Sequence, residues 1–250
     1  MSTPKPRRAR RILARIAAVL GALVVVAVVG ILIWSQVGVM AAEPEPLAGV
    51  RADAGIRITD DGAAVVLSPA DGESTTGLVY LPGAKVDPWA YAAKLSGLVD
   101  DGITVVITKP TLNLAFFDLR PLDAFTALAP DVDTWMVGGH SLGGVRACQL
   151  AGEADALVLF ASYCATDLAG SGLPVLSIGG AEDGLSTPEK IADARDLLPG
   201  DAELVEIPGA SHASFGDYGP QAGDGTPEIS DAAMTAELTE LIDAFAARLR

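Results

Sequence analysis

Gly139-His140-Ser141-Leu142-Gly143 has the form Gly-x-Ser-x-Gly, which suits a serine held at the tip of a sharp strand-to-helix turn. The chemistry it would serve is nucleophilic attack by the Ser141 hydroxyl. At such a tip the serine backbone is strained, and side chains two residues to either side would collide across the turn. Glycines at 139 and 143 remove those collisions. The pattern alone is weak in a chain with 27 glycines. Its context strengthens it: an apolar run, Thr134 to Val137, leads in, and a helix-compatible segment, Leu142 to Ala151, leads out. A hydroxyl also needs a base to take its proton. The chain has two histidines. His140 adjoins Ser141 within the turn, where its ring does not easily reach back to the hydroxyl, so it reads as a packing or supporting group. His212, in the loop Pro208-Gly209-Ala210-Ser211-His212, is the candidate base.

A histidine base is oriented, and its charged form stabilised, by a carboxylate. Asp183, in Gly179-Gly180-Ala181-Glu182-Asp183-Gly184, is the candidate, ahead of its neighbour Glu182, because it falls between a strand end and a helix starting near Thr187. Its other reading is an Asx turn that organises the loop. The order Ser141, Asp183, His212 differs from both common protease orders. Acyl transfer finally needs donors for the developing oxyanion. The backbone amides of Leu142, at a helix start, and Ala84, in Leu81-Pro82-Gly83-Ala84-Lys85, are the candidates. Lys85 would add positive charge there, or simply be solvated. No Cys/His cluster has metal-ligand spacing, so neither a metal nor another cofactor is expected.

Elements to position these groups follow from the apolar pattern. Gly55–Thr59 and Ala63–Leu67, separated by Asp60-Asp61-Gly62, read as a hairpin. Further strands are expected at Thr76–Leu81, Ile103–Thr108, Thr134–Val137, Ala156–Phe160, Pro174–Ile178 and Glu203–Ile207. Helices are expected at Trp89–Val99, near Leu122–Leu128, after the serine turn, at Thr187–Leu197 and at Ala232–Leu249. Apolar strands alternating with helices predict an α/β fold: a mainly parallel sheet with helices on both faces and an antiparallel edge from the hairpin. About a dozen residues separate the strands at 156 and 174, too few for a large cap domain.

Residues from about Thr76 to Leu249 resemble the α/β-hydrolase superfamily, most closely the alpha/beta hydrolase fold-5 family, akin to dienelactone hydrolases. The resemblance rests on Pro82-Gly83-Ala84-Lys85-Val86-Asp87-Pro88 with Tyr91, on Lys109-Pro110 with Leu112-Asn113-Leu114-Ala115, and on Gly138 to Gly144. Gly179 to Gly184 and the long stretch His212 to Gly225 complete it. It implies Ser141 as nucleophile, Asp183 as acid and His212 as base, in the chain order of that superfamily. Two departures stand out: serine where dienelactone hydrolases carry cysteine, and Pro82-Gly83 where many members have His-Gly. Asp217, Tyr218, Gln221 and Asp224 follow the base in one glycine-rich loop, which either lines the site, binds a cation or satisfies itself.

Charge is unevenly placed. Residues 1 to 42 hold Lys5, Arg7, Arg8, Arg10, Arg11 and Arg15 and no acid, while the rest of the chain carries a net charge of −21. So acidic a domain repels phosphate backbones, which argues against nucleic-acid binding. Ile16 to Trp34 is 19 residues without a charge, long enough to cross a bilayer. The expected organisation is a basic cytoplasmic tail (1–15), a transmembrane anchor (16–36), a linker (37–48) and a hydrolase domain (49–250). Arginines before the span place the domain outside the cytoplasm. A cleaved signal peptide competes, with Val39-Met40-Ala41 at a plausible cleavage site. Cys148 and Cys164 form a disulfide in that compartment or stay as two buried thiols. The expected activity is hydrolysis of a small-molecule carboxylic ester or related acyl bond through an acyl-enzyme on Ser141, the N-terminal helix contacting membrane lipid. The alternatives are an inactive, membrane-tethered binding protein and a peptidase, thioesterase or lactonase, among which fold and site residues do not choose.

Overall fold

The computed structural model describes residues 6–72 and 74–249, so Lys5 of the basic tail lies outside the described residues. It comprises two units. The first is Met1–Gly38, whose helix α1 spans Pro6–Gln36. Within it Arg10–Gln36 is apolar and long enough to cross a membrane, about 40 Å at 1.5 Å per residue.

The second unit, from Val39 on, is built around one eight-stranded sheet. Its strands are β1 (Ile56–Asp60), β2 (Ala64–Pro69), β3 (Thr76–Leu81), β4 (Ile103–Thr108), β5 (Thr134–His140), β6 (Ala156–Phe160), β7 (Val175–Gly180) and β8 (Glu203–Ile207). They lie in the order β1-β2-β4-β3-β5-β6-β7-β8; the pairs β1/β2 and β2/β4 are antiparallel and every other pair is parallel. The turn between β1 and β2 is the expected Asp-Asp-Gly: Asp60 Oδ1 accepts from Gly62 N at 3.0 Å, and Gly62 takes φ 87°.

Because successive strand residues face opposite ways, strands apolar throughout feed two cores. Leu78, Tyr80, Val105, Ile107, Val158 and Phe160 point to one, with α3 (Ser96–Asp100) and α7 (Asp231–Ala246) packed against them through Leu98, Met234 and Ile242. Val79, Leu81, Val106, Val137, Leu157 and Leu159 point to the other, covered by α4 (Asp123–Thr126) and α5 (Leu142–Leu150) through Phe125, Ala147 and Leu150. Each wholly buried side chain of this size contributes about 1.5–3 kcal/mol. Residues 161–174, between β6 and β7, contain no helix and hence no cap. Cys148 of α5 and Cys164 in this segment are joined by a disulfide with Cα atoms 5.6 Å apart.

Three elements differ from expectation. The helix expected at Thr187–Leu197 is α6 (Pro188–Asp193) and then a one-turn helix at Arg195–Leu197. The helix expected over 89–99 is a one-turn helix at Pro88–Tyr91 and then α3, with Leu95 at φ −110°, ψ 0° between them. Interrupting the apolar face is Lys94, fully buried, whose Nζ lies 2.8 Å from both Asp217 Oδ1 and Asp231 Oδ1. The expected linker is part of the second unit from Val39. Met40 N donates to Lys85 O, Glu43 N donates to Asp217 O at 2.8 Å, and α2 (Pro44–Ala52) follows. Pro44 suits the first helical position, where no N–H is needed, so a proline that suggests a linker here begins a helix.

Candidate active site

The parallel strands bring the loops after β3, β4, β5, β7 and β8 to the carboxyl edge of the sheet, where ligands gather in open α/β folds. Ser141 occupies the single residue between β5 and α5, at φ 52° and ψ −122°. A positive φ in a non-glycine residue is strained and must be held by its surroundings. Here Ser141 N donates to Phe160 O at 3.0 Å, and Ser141 O accepts from Gly144 N at 3.0 Å and from Ser162 Oγ at 2.7 Å. The glycines do what the sequence pattern asks of them. A Cβ on Gly143 would lie 2.0 Å from Leu81 O, and one on Gly139 would lie 2.5 Å from Gly143 C. Gly144 is equally constrained, since a Cβ there would meet Ser162 Oγ at 2.4 Å.

His212 begins a one-turn helix, His212–Phe215, after β8, and its start is fixed by a reciprocal cap between Ser211 and Ser214. Its Nδ1 lies 2.8 Å from Asp183 Oδ2, with both side chains buried. Asp183 faces His212 and also organises its own loop. Oδ1 accepts from the amides of Leu185 and Ser186 at 2.8 and 2.7 Å, forming the Asx turn, and that locks Oδ2 towards the imidazole. Glu182 is exposed. The structure thus brings Asp183 and His212 together. It draws no hydrogen bond from Ser141 Oγ to His212 among the described residues.

His140 is wholly buried and its tautomer follows from its neighbours. Nε2 faces the His212 carbonyl at 3.1 Å and must carry the proton; Nδ1 is then an acceptor. The Tyr91 hydroxyl, 2.9 Å away, donates to Nδ1 and in turn accepts from Gly83 N at 2.9 Å. Burial, then the nearby His212, hold the His140 pKa well below 6.5, which keeps this neutral form. One chain of hydrogen bonds therefore runs from the loop after β3, past the residue before the serine, to the backbone of the candidate base. In that loop Gly83 N and Lys85 N are both engaged, the latter by Asn113 O at 2.8 Å, whereas Ala84 N donates to nothing among the described residues. Leu142 N, first in α5, precedes the reach of intrahelical acceptors. Neither candidate oxyanion amide donates to another group among the described residues.

The residue that sequence reasoning left without a role is Asp224. Its Oδ1 accepts from Gly184 N, His212 N and Gly225 N at 3.1, 3.0 and 2.7 Å, and its Oδ2 from Ala213 N at 2.8 Å. It joins the loop bearing Asp183 to the turn bearing His212. Partial burial works to raise its pKa, but the backbone donors outweigh this and hold it below 3.8. The only sequence signal was an unassigned carboxylate among glycines. Asp217 pairs with Lys94, and Tyr218 Oη donates to Gln221 Oε1 at 3.1 Å. Glu43, Asp217 and Asp231 bring carboxylate oxygens within 4.8 Å of one another, and the Lys94 ammonium already supplies the counter-charge. A cavity of about 360 Å³ behind the His212 turn is lined by Ser211, Ala213, Ser214 and Met234 but by neither Ser141 nor His212, so it is separate from the serine.

Comparison with known proteins bears on the fold and the family. A search of curated protein sequences finds no match. Among solved structures, the chain is similar to the esterase domain of a Rhodothermus marinus protein, at 17% identity with a TM-score of 0.58 over 77% of this chain and 98% of that one. The sequence profile of the alpha/beta hydrolase family matches residues 77–236, a stretch that runs from β3 through the serine turn, Asp183 and His212 into α7. The chain belongs to the alpha/beta hydrolase family.

Proposed function

We propose that this hydrolase is a serine esterase, acting on a carboxylic ester or related acyl bond through an acyl-enzyme on Ser141. The observation that carries the reading is the buried His212–Asp183 pair at 2.8 Å, on the same sheet edge as a serine in a strained positive-φ turn. In this mechanism Asp183 fixes the His212 proton on Nδ1, leaving Nε2 to accept the Ser141 proton as Oγ attacks the carbonyl. The Leu142 and Ala84 amides, which donate to no other group among the described residues, receive the oxyanion. His212 then protonates the leaving alcohol and activates the water that releases the acid. No step calls on a metal or organic cofactor. The esterase domain among the structural neighbours supports the same reaction class.

The test is covalent labelling by a fluorophosphonate together with ester turnover. Both are expected in the wild-type protein and neither in Ser141→Ala. Labelling that survives Ser141→Ala overturns the nucleophile assignment, and a folded wild-type protein that neither labels nor turns over marks an inactive binding protein. Thioester, lactone and peptide substrates in the same assay separate the other acyl bonds.

We further propose that α1 remains as a single-pass anchor, with the hydrolase unit outside the cytoplasm. The arginines at its start favour that orientation, and the Cys148–Cys164 disulfide suits an oxidising compartment. Mass measurement of the mature chain decides it: loss of residues up to about 41 would show a cleaved signal peptide instead.

A further inference from the structure

Among the described residues of the hydrolase unit, four large apolar side chains are exposed: Phe116, Phe117, Leu119 and Leu204. Three of them fall within four residues of one another, in the loop after β4, in a domain whose surface is otherwise strongly acidic. Leu119 is 83% exposed, and Phe116 and Phe117 about half, their rings set edge to face at 5.8 Å. Scattered apolar residues need no explanation, but a contiguous group on a soluble surface marks a binding surface.

This loop is held, not loose. Leu112 and Asn113 both adopt left-handed backbone conformations, at φ 61° and 55°. Asn113 O accepts from Lys85 N, the residue after Ala84. Ala115 is buried in the same core cluster as Leu81, at the end of β3, and Ala147 of α5. From α5, Arg146 Nε donates to Asp118 O and Arg146 Nη2 to Arg120 O, each at 3.0 Å. The loop is therefore clipped to the two elements that carry the candidate oxyanion amides, Ala84 before it and Leu142 at the head of α5. Its buried residues anchor it while Phe116, Phe117 and Leu119 face outward.

We propose that Phe116, Phe117 and Leu119 form the surface on which an apolar chain of the substrate lies, so that the enzyme selects esters of medium-length aliphatic acids. The proposal rests on the esterase reading above. The occupant is argued from continuity: the patch is carried on a loop fixed to both elements that bear the candidate oxyanion amides. A methylene wholly withdrawn from water favours binding about four-fold, and one covered on a single side about two-fold. Across the six methylenes separating an acetyl from an octanoyl ester, kcat/KM is then expected to rise roughly sixty-fold by that one-sided coverage.

The test is the chain-length series of p-nitrophenyl esters, acetate to octanoate, with the full chain in lipid nanodiscs. The wild-type protein is compared with a Phe116→Ser/Phe117→Ser/Leu119→Ser variant under identical conditions, so that partition of the esters into lipid cancels. The variant is expected to keep acetate turnover within about two-fold and to lose most of the rise with chain length, while Phe116→Leu/Phe117→Leu retains it. An unchanged rise in the triple variant, or an equal fall for all esters, overturns the proposal. So does a probe on Leu119→Cys that brominated lipid quenches while the rise persists, which would assign the patch to the bilayer. If the wild-type protein neither turns over any ester nor labels with fluorophosphonate, the esterase reading fails and this proposal with it. A wild-type protein that labels but shows no preference overturns the proposal alone.

Discussion

Replacing Asp224 by Ala tests whether the candidate base is positioned by backbone anchoring. The substitution removes four acceptor contacts at once. The Gly184 and Gly225 amides are at exposed positions and can turn to water, so their loss costs little. The His212 and Ala213 amides are partly buried, and each charge-assisted bond there is worth about 1.5–3 kcal/mol. The expected loss is thus about 3–6 kcal/mol, below most of the typical range of about 5–15 kcal/mol for the total, so a folded variant is expected. The turn carrying His212 nevertheless loses its tie to the loop carrying Asp183. A misplacement of about 1 Å costs on the order of 10²-fold, and that fall is expected in kcat with KM little changed. The pH dependence has a definite sign. Asp224 has its pKa depressed in the folded state, so its contribution is complete above the unfolded value of about 3.9 and is lost as pH falls through the lower folded value. The stability gap between wild type and Asp224→Ala is therefore constant from neutral pH to about 4 and narrows below it. Denaturant unfolding at pH 7 and pH 3, with steady-state kinetics at pH 7, measures both. A variant within 1 kcal/mol and two-fold of wild type, or a gap that persists undiminished in acid, would refute the reasoning.

Tyr91→Phe leaves Gly83 N and His140 Nδ1 buried without partners, for an expected loss of about 2–4 kcal/mol and a fall in kcat at constant KM; kinetics and thermal unfolding check it. His140 is held neutral in the folded protein, so the unfolded state binds the extra proton and stability falls with pH below 6.5, by up to about 1.4 kcal/mol per unit. His140→Gln, whose amide can both accept from Tyr91 and donate to His212 O, is expected to remove that slope while keeping most activity; a slope that survives assigns it to another group. Gly143→Ala drives a Cβ into Leu81 O, and a loss of about 3 kcal/mol or more with abolished turnover is expected from unfolding and activity assays. Cys148→Ser/Cys164→Ser opens a loop of 16 residues, and its stability should fall by about 3 kcal/mol, reproduced in the wild-type protein by a reductant.

What the sequence made legible was what neighbours within a few residues decide. The Gly-x-Ser-x-Gly turn could be read because its collisions are local, between Gly139 and Gly143 and the strand end at Leu81. The strands could be read because residues facing two cores must be apolar throughout. Asp183 and His212 could be paired because both follow strands that the alternation had already made parallel. Three things were hidden. The burial of Lys94 within the expected helix was hidden because its partners, Asp217 and Asp231, lie more than a hundred residues on. Pro44 read as a linker residue because the same residue type also starts helices. The disulfide was undecidable because spacing says nothing of whether a helix and a loop meet.

His140 could be read as a supporting group, but what it and Asp224 hold was hidden for a more instructive reason. Each acts on backbone groups, and backbone groups carry no letter in a sequence. Asp224 reaches Gly184 N across 40 residues, and His140 reaches His212 O across 72. Both residues also hold His212, Asp224 at its amide and His140 at its carbonyl, while Asp183 holds its ring. The candidate base is thus fixed at three points by groups from two loops and from the end of β5. That arrangement explains how a base on a short turn can be rigid at the edge of a sheet. It also predicts non-additivity: Asp224→Ala should cost less activity in a His140→Leu background than in the wild-type protein, because the first change already frees the turn.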